Sequence, residues 1–438
     1  MTSKYYQGRD VYIIDGARSP FLKAKGKPGP FSAADLAVLA SKKVFENLSI
    51  EPSQLDETIF GCMMPSADET NIGRLIGYRL GCGKKVPGYT VQRNCASGMQ
   101  AIDEGLKDIA MGRHDLVLAG GTDAMSRAPL LYNNQAVEWF SNMMATKTAG
   151  QKIGQFLKWR PSMFFNPVIS LLRGLTDPMV CLLMGQTAEK VAYQFNITRR
   201  EMDEFSVESH KRLAAAIDAG YLKNEIAVAY DKYGNVYEND DGLRRDANVE
   251  KLGTLKPFFD KKYGLVTAAN SSQVTDGAAA VVLASAEAVK KYNLPVLGRI
   301  LDVNWAGLDP SVMGLGPVYA TTPMLQRNNL TKDDIAYWEI NEAFAAQVLG
   351  CLKAWESKEF CQKELGLNDV FGSIDLSRLN VDGGGVALGH PVGASGARIT
   401  LHLLNVLRRN NAKLGVATIC IGGGLGGAML LESTDKVI

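Results

Sequence analysis

At 438 residues, with 46% apolar and 21% charged side chains, the chain can bury a large core and is long enough for two or three domains, or for one fold built twice. A net charge of +2 removes any electrostatic case for nucleic acid, so an anionic ligand must be met by a few local basic residues. Seven scattered cysteines fit reduced thiols in a cytoplasm-like compartment, and the polar start from Met1 to Asp10 carries no apolar export core.

In chain order, residues 11–14 (VYII) read as a strand, and residues 32–48 carry alanines and leucines at helical spacing. A strand is expected at Glu57–Gly61, and residues 90–92 deliver the chain into NCASGMQA at 94–101. Met99, Ile102, Leu106 and Ile109 then recur at helical intervals, which predicts a helix over 96–111. The strand at 116–119 is expected to end at Gly120 and Gly121. From 126 to 274 the character changes to irregular apolar segments, a charged helix near 199–219 and the polar run YGNVYENDDGLRRD. This stretch reads as an inserted cap or loop domain. Residues 277–284 resume a buried-strand pattern.

The same order then returns. Residues 297–303 are strand-like, 324–328 fit the end of a helix, and 335–340 form a strand leading into NEAFA at 341–345. GHPVGASG at 389–396 opens a helix through about Arg408, and the strand 415–421 runs into the glycines at 422–424. The uncharged stretch 415–431 holds six glycines, so it reads as strand and turn, not as a membrane span. The repetition has a period of about 290 residues and lies in element order and glycine placement. It implies α/β layering, with residues 1–125 plus 275–290 as one half, 126–274 as the cap, and 291–438 as the other half.

Five candidate positions, in four motifs, carry the chemistry. Cys95 sits at a predicted helix start among small residues, where the helix N-terminus favours thiolate over thiol. His390 lies in a glycine-lined loop at the topological equivalent of the cysteine turn, unlike His114, His210 and His402 in ordinary helical or charged contexts. Cys420 precedes a glycine turn whose amides are free to stabilise an oxyanion. Asn341 and Glu342 follow a strand and are placed to position a water. Each alone has a bland alternative: a buried cysteine, a core histidine, a polar pair after a strand.

Together, NCASGMQA, NEAFA, GHPVGASG and CIGGGLGGAM, in this order, resemble the thiolases. So do the flanking DGARSPF, MGQTAEKVA, DEFSVESHKR and TAANSSQVTDGAAAV, so that the resemblance covers about 11–432. It implies the thiolase fold, duplicated βαβαβαββ halves in an α/β/α/β/α arrangement with an inserted loop domain. It also implies a ping-pong acyltransferase acting on 3-ketoacyl-CoA, with coenzyme A as substrate and neither metal nor permanent cofactor. Under that resemblance Cys95 is the nucleophile, His390 its base, and Cys420 the acid and base at the departing carbanion. Asn341 holds a water in one oxyanion hole that His390 completes, while the amides of Cys95 and Gly422 form the second. Arg244 stacks on the adenine, and Ser272 and Met184 contact the pantetheine arm.

The resemblance further implies a homodimer or homotetramer. Leu183 stands where acetoacetyl-CoA-specific members have histidine, which favours a longer acyl group. The enlarged 143–183 region, the extra helix in 345–380, DDGLRRD and LGPVYATTP resemble the trifunctional-enzyme β-subunit type, although that subgroup has histidine at the position of Asn341. With it come the expectations of a hydratase–dehydrogenase partner subunit or a membrane surface, met by the apolar and basic segment 155–175. The competing readings are an acetoacetyl-CoA-specific acetyltransferase, a ketoacyl synthase, which lacks the second cysteine, and a silent structural subunit.

Overall fold

A computed structural model describes residues 8–437; Met1 to Gln7, most of the polar start read above, lie outside it. Nine strands form the main sheet: β1 (Val11–Arg18), β2 (Glu57–Gly61), β3 (Gly88–Val91), β4 (Leu116–Ala124), β5 (Thr275–Ser285), β6 (Gly298–Gly307), β7 (Tyr337–Ile340), β8 (Leu414–Ile421) and β9 (Leu425–Ser433). Their order is β7-β8-β9-β6-β1-β5-β4-β2-β3, with the two-residue strand Leu22–Lys23 attached to β5.

The duplication is explicit in the pairing. In the first half β2 runs parallel to β4, β4 antiparallel to β5, and β5 antiparallel to β1. In the second half β7 runs parallel to β8, β8 antiparallel to β9, and β9 antiparallel to β6. Even the register irregularity recurs, between Ile13 and Asp15 on β1 and between Ile300 and Asp302 on β6. The halves join through two residue pairs, Tyr12 with Arg299 and Ile13 with Gly298.

The helices that shape the site are α1 (Ala33–Phe45), α2 (Ile72–Leu80), α3 (Ser97–Ala110), α4 (Met184–Gln194), α5 (Arg199–Asp218), α6 (Gly316–Arg327), α7 (Ala345–Glu356) and α8 (Val392–Arg409). Helix α1 starts where Ser32 and Asp35 close a reciprocal capping box. Strand alternation then sorts the core into layers. On β1, Val11 and Ile13 join the cluster built by α3 and α8, whereas Tyr12 and Ile14 face α1 and α2. On β8, Ala417, Ile419 and Ile421 face the same central helices, whereas Leu414 and Val416 face α6 and α7. The result places α3 and α8 between the two halves of the one sheet, with α1 and α2 outside one half and α6 and α7 outside the other. The duplicated, layered α/β architecture expected from the sequence is therefore the observed one.

Strand β4 does not stop at its glycines but continues to Ala124. The reason is close approach: a Cβ on Gly121 would lie 1.9 Å from the Gly393 carbonyl oxygen, so only glycine keeps the strand going beneath α8. The segment between β4 and β5 holds short helices, the long helix α5, and a small hairpin of Ala229–Tyr230 with Val236–Tyr237. Among the described residues, no helix is long and apolar enough to cross a membrane.

Candidate active site

Edge strand β3 hands the chain to one turn of 3-10 helix, Asn94–Ala96, and then to α3. Asn94 takes a left-handed φ of 44°, a conformation asparagine tolerates better than most residues, and the kink sets Cys95 just ahead of the helix. Ser97 Oγ donates to the Asn94 carbonyl at 2.7 Å and accepts from the Arg93 N–H at 2.9 Å. Asn94 Nδ2 donates to the Gly422 carbonyl at 2.8 Å, which ties this elbow to the glycine turn after Cys420.

The expected thiolate is not what the resting environment favours. An edge of Cys95 reaches the surface, yet burial of its sulfur pushes the thiol up to about 11, while hydrogen bonds from the Gly422 amide and its own amide pull the other way. Desolvation outweighs the helix start, so Cys95 rests as a thiol and needs a base.

That base has the right protonation state. Gly389 turns at φ 103° and presents His390 just before α8. His390 Nδ1 lies 2.5 Å from Ser395 Oγ, and Ser395 Oγ in turn donates to the Pro391 carbonyl at 3.0 Å. The serine has one proton, so Nδ1 must carry the hydrogen shared with it, and Nε2 is left as a lone pair. Burial, then the charge of Arg398, lowers the imidazole to about 4, which keeps it neutral. Nε2 has no hydrogen-bond partner among the described residues.

Cys420 is the next-to-last residue of β8 and is fully buried; burial first, and the neighbouring Cys95 second, push its thiol well above the ordinary range. Asn341, directly after β7, is also fully buried, and both of its side-chain polar atoms lack partners among the described residues. A buried amide with neither donor nor acceptor matched marks a place built for something else to bind. Glu342 does not share that task. Its carboxylate accepts from Ser209 Oγ at 2.7 Å, Asn380 Nδ2 at 2.9 Å and the Val386 N–H at 3.1 Å, so it anchors the histidine loop to α5.

Two glycine contacts bring the cysteine and histidine turns together. A Cβ on Gly98 would lie 2.7 Å from the Gly393 carbonyl oxygen, and one on Gly396 would lie 2.7 Å from the Met99 nitrogen. The N-termini of α3 and α8 therefore touch, with Cys95 and His390 each two residues ahead of its helix. Asp123, at the end of β4, fixes this junction by accepting from the N–H groups of Gly393 and Met64. Burial raises Asp123 to about 6 despite those donors.

Of the expected coenzyme contacts, Ser272 donates its N–H to the Ala343 carbonyl at 2.9 Å and so borders NEAFA. Met184 opens α4, with its sulfur 3.2 Å from where a Cβ on Gly422 would stand. Arg244 lies further out, its N–H donated to His210 Nδ1 at 3.2 Å. Glu57, Asp108 and His114 are the one group that could hold a metal among the described residues, but they cluster at the far end of α3 and are engaged with one another and with Arg113.

The models "Thiolase, N-terminal domain" and "Thiolase, C-terminal domain" match residues 11–287 and 294–433. The chain belongs to the thiolase family. This thiolase is 37% identical over 430 residues to the mitochondrial 3-ketoacyl-CoA thiolase of Homo sapiens, covering 97% of this chain and 99% of that one. The crystal structure of the human enzyme in complex with CoA superposes with a TM-score of 0.83 at 36% identity, covering 97% and 98%. The Bacillus anthracis acetyl-CoA acetyltransferase follows at TM-score 0.80 and 34% identity, covering 98% and 100%. As a member of that family, the protein is an acyltransferase.

Sequence reasoning missed three residues that shape this candidate site: Asn94, Ser395 and Asp123. Asn94 and Ser395 lie inside the quoted motifs, where a polar side chain among glycines and alanines was the available signal. Asp123 carried none, because its partners come from two other segments.

Proposed function

We propose that this thiolase cleaves 3-ketoacyl-CoA with coenzyme A, or runs the reverse condensation, through an acyl group carried on Cys95. The observation that supports this best is the meeting of a thiol at about 11, a neutral imidazole with a free Nε2, and a second buried thiol beside the first. Neither Cys95 nor His390 is charged at rest, so proton transfer accompanies attack. The Cys95 sulfur bonds to the 3-keto carbon as its proton passes to His390 Nε2. Collapse breaks the bond between carbons 2 and 3, and the departing enolate of acetyl-CoA takes a proton from Cys420. Coenzyme A then gives its thiol proton to Cys420 and attacks the acyl thioester, and Cys95 leaves and recovers its proton from His390 Nε2.

The Gly422 and Cys95 amides, aimed at the Cys95 sulfur, are suited to the oxyanion on the acylated carbon. Asn341, and His390 Nε2 once it carries the Cys95 proton, are suited to the enolate oxygen of the other half. The same reading assigns residues 126–274 to the coenzyme-binding cap, with Arg244, Ser272 and Met184 along the coenzyme. The seven free thiols support a reducing, cytoplasm-like compartment. It also includes a homo-oligomeric assembly and a further partner, a membrane surface or a hydratase–dehydrogenase subunit, meeting the exposed apolar segment described below.

Leu183, half-buried beside Met184, leaves no imidazole next to the thioester and supports acyl groups longer than acetoacetyl. Coenzyme A-dependent cleavage of 3-ketoacyl-CoA across chain lengths tests both levels. The expected kcat/KM rises from acetoacetyl-CoA to medium chains. A maximum at acetoacetyl-CoA rejects the length assignment, and no cleavage at any length rejects the function.

A further inference from the structure

The sulfur end of coenzyme A is met by the cysteine elbow, but its nucleotide end is a polyanion, and a chain of net charge +2 can meet it only locally. Lys23 lies on the short strand Leu22–Lys23, opposite Thr275 on β5. Directly opposed residues on antiparallel strands project to the same face. The Thr275 side chain faces the histidine loop, since a Cβ on Gly389 would lie 2.2 Å from its Oγ1. Lys23 therefore stands on the face of the sheet that carries His390.

Arg244 reaches the same loop from the cap. Gly242 lies against its base, where an added Cβ would be 2.6 Å from the Ala387 carbonyl oxygen, and Gln273 Nε2 donates to the Gly242 carbonyl at 2.9 Å. His210, lowered to about 4 by burial and then by the charge of Arg244, is a neutral acceptor for the Arg244 N–H and fixes the arginine backbone. Both Lys23 and Arg244 are half-buried. Neither the Lys23 ammonium nor the Arg244 guanidinium has a hydrogen-bond acceptor or ion-pair partner among the described residues. The acids that act on them are already engaged: Asp241 accepts from the Lys23 N–H and pairs with Lys25 Nζ at 2.8 Å, and Asp246 pairs with Lys251 Nζ at 2.9 Å. Burial, then the charge of Arg244, lowers the Lys23 ammonium, so the two cations feel each other.

Asp241 and Asp246 offset part of the charge on Lys23 and Arg244 but, among the described residues, neither carboxylate accepts a hydrogen bond from either side-chain cation, and a phosphate bridging the two would supply those charge-assisted hydrogen bonds. We propose that Lys23 and Arg244 form a clasp for phosphate groups at the nucleotide end of coenzyme A, Lys23 as a point charge and Arg244 as a planar fork. The clasp rests on the reading that this enzyme uses coenzyme A, and it makes Lys23 a determinant of acceptor specificity.

The test compares coenzyme A, 3′-dephospho-coenzyme A and pantetheine as acceptor thiols in the cleavage direction, for the wild type, Lys23→Gln and Lys23→Arg. The expected result is a fall of about tenfold in the preference of Lys23→Gln for coenzyme A over pantetheine, as for loss of one charge-assisted hydrogen bond, with partial recovery in Lys23→Arg. If the variant no longer distinguishes coenzyme A from its 3′-dephospho form, the clasp holds the 3′-phosphate. If both nucleotide forms lose equally against pantetheine, it holds the diphosphate. An equal loss with all three acceptors, or no loss with any, overturns the clasp. A wild type that prefers pantetheine to coenzyme A would overturn the coenzyme reading itself.

Discussion

At the scale of single residues, the two cysteines of the site differ in exposure and in task. Cys95 keeps an edge at the surface, whereas Cys420 has none and sits beside it. Replacing Cys420 with alanine should leave the chain able to take an acyl group on Cys95 and unable to turn over, because no group remains to move the proton at the enolate. General acid–base contributions of roughly 10²–10⁴ set the expected loss in kcat. Intact-mass analysis after mixing with acetoacetyl-CoA should show an acyl adduct on Cys95 in this variant; normal turnover, or an adduct elsewhere, defeats the assignment. Adducts must be mapped with substrate, not with a general alkylating agent, because Cys181 is exposed and Cys95 is held as a thiol. Cys95, His390 and Cys420 stood out in the sequence as candidates because each lies in a dense run of small residues, and Asn341 because it forms a polar pair with Glu342 after a strand. Their protonation was not. A helix start argues for thiolate, and only the packing around the sulfur reveals that desolvation wins.

Among the elements, most strands and the central helices α3 and α8 were legible, because alternation and helical spacing survive wherever a face is buried, whereas α2 and β9 were not read and β4 runs five residues past its expected end. The inserted segment was not, because it has little shared core to impose a period. Its helices Asn134–Ala145 and Ala149–Phe156 form a hairpin with its own small core. Phe164 fills that core, with ring centroids 5.6 to 6.1 Å from Tyr132, Trp139, Phe140 and Trp159. Around it Met144, Leu157 and Phe165 are 87%, 79% and 79% exposed, and residues 130–173 carry five basic side chains against one acidic. An apolar surface ringed by cations suits an anionic lipid surface. Serine at both Leu157 and Phe165 should abolish sedimentation with phosphatidylglycerol vesicles while the hairpin stays folded, whereas serine at Phe164 should unfold the hairpin. Wild-type protein that stays in the supernatant with such vesicles rejects the lipid reading. Co-purification with a hydratase–dehydrogenase subunit in its place would assign the patch to that partner.

For the whole molecule, the question is what holds the cap and the two halves as one unit. Arg18, at the end of β1, pairs with Glu225 at 2.9 Å and Asp240 at 2.7 Å, both from the inserted segment. Glu225 also meets His402 of α8 at 3.0 Å, and the other nitrogen of His402 lies 3.2 Å from Asp382, which Arg409 contacts at 2.8 Å. Arg18, His402 and Arg409 thus face Glu225, Asp240 and Asp382, a set that is neutral only while His402 keeps its proton. Such a network joins segments far apart in sequence and no local pattern announces it; His402 read as an ordinary helical histidine. Burial alone would lower its imidazole, but Glu225 and Asp382 outweigh burial and raise it to about 10. The folded state therefore binds a proton between about pH 6.5 and 10 that the unfolded chain has released. The stability this supplies is fully present below about pH 6.5 and is lost as pH rises through 10. Its slope is on the order of 1 kcal/mol per pH unit. Urea unfolding of the wild type should show a midpoint that falls between pH 7 and pH 9. His402→Gln keeps hydrogen-bonding capacity but cannot titrate, so it should be less stable at pH 7, where Glu225 and Asp382 lose their shared cation, and its midpoint should depend less on pH across the same window. If the two proteins lose stability in parallel from pH 7 to pH 9, the proton does not reside on His402, and the network is held together without it.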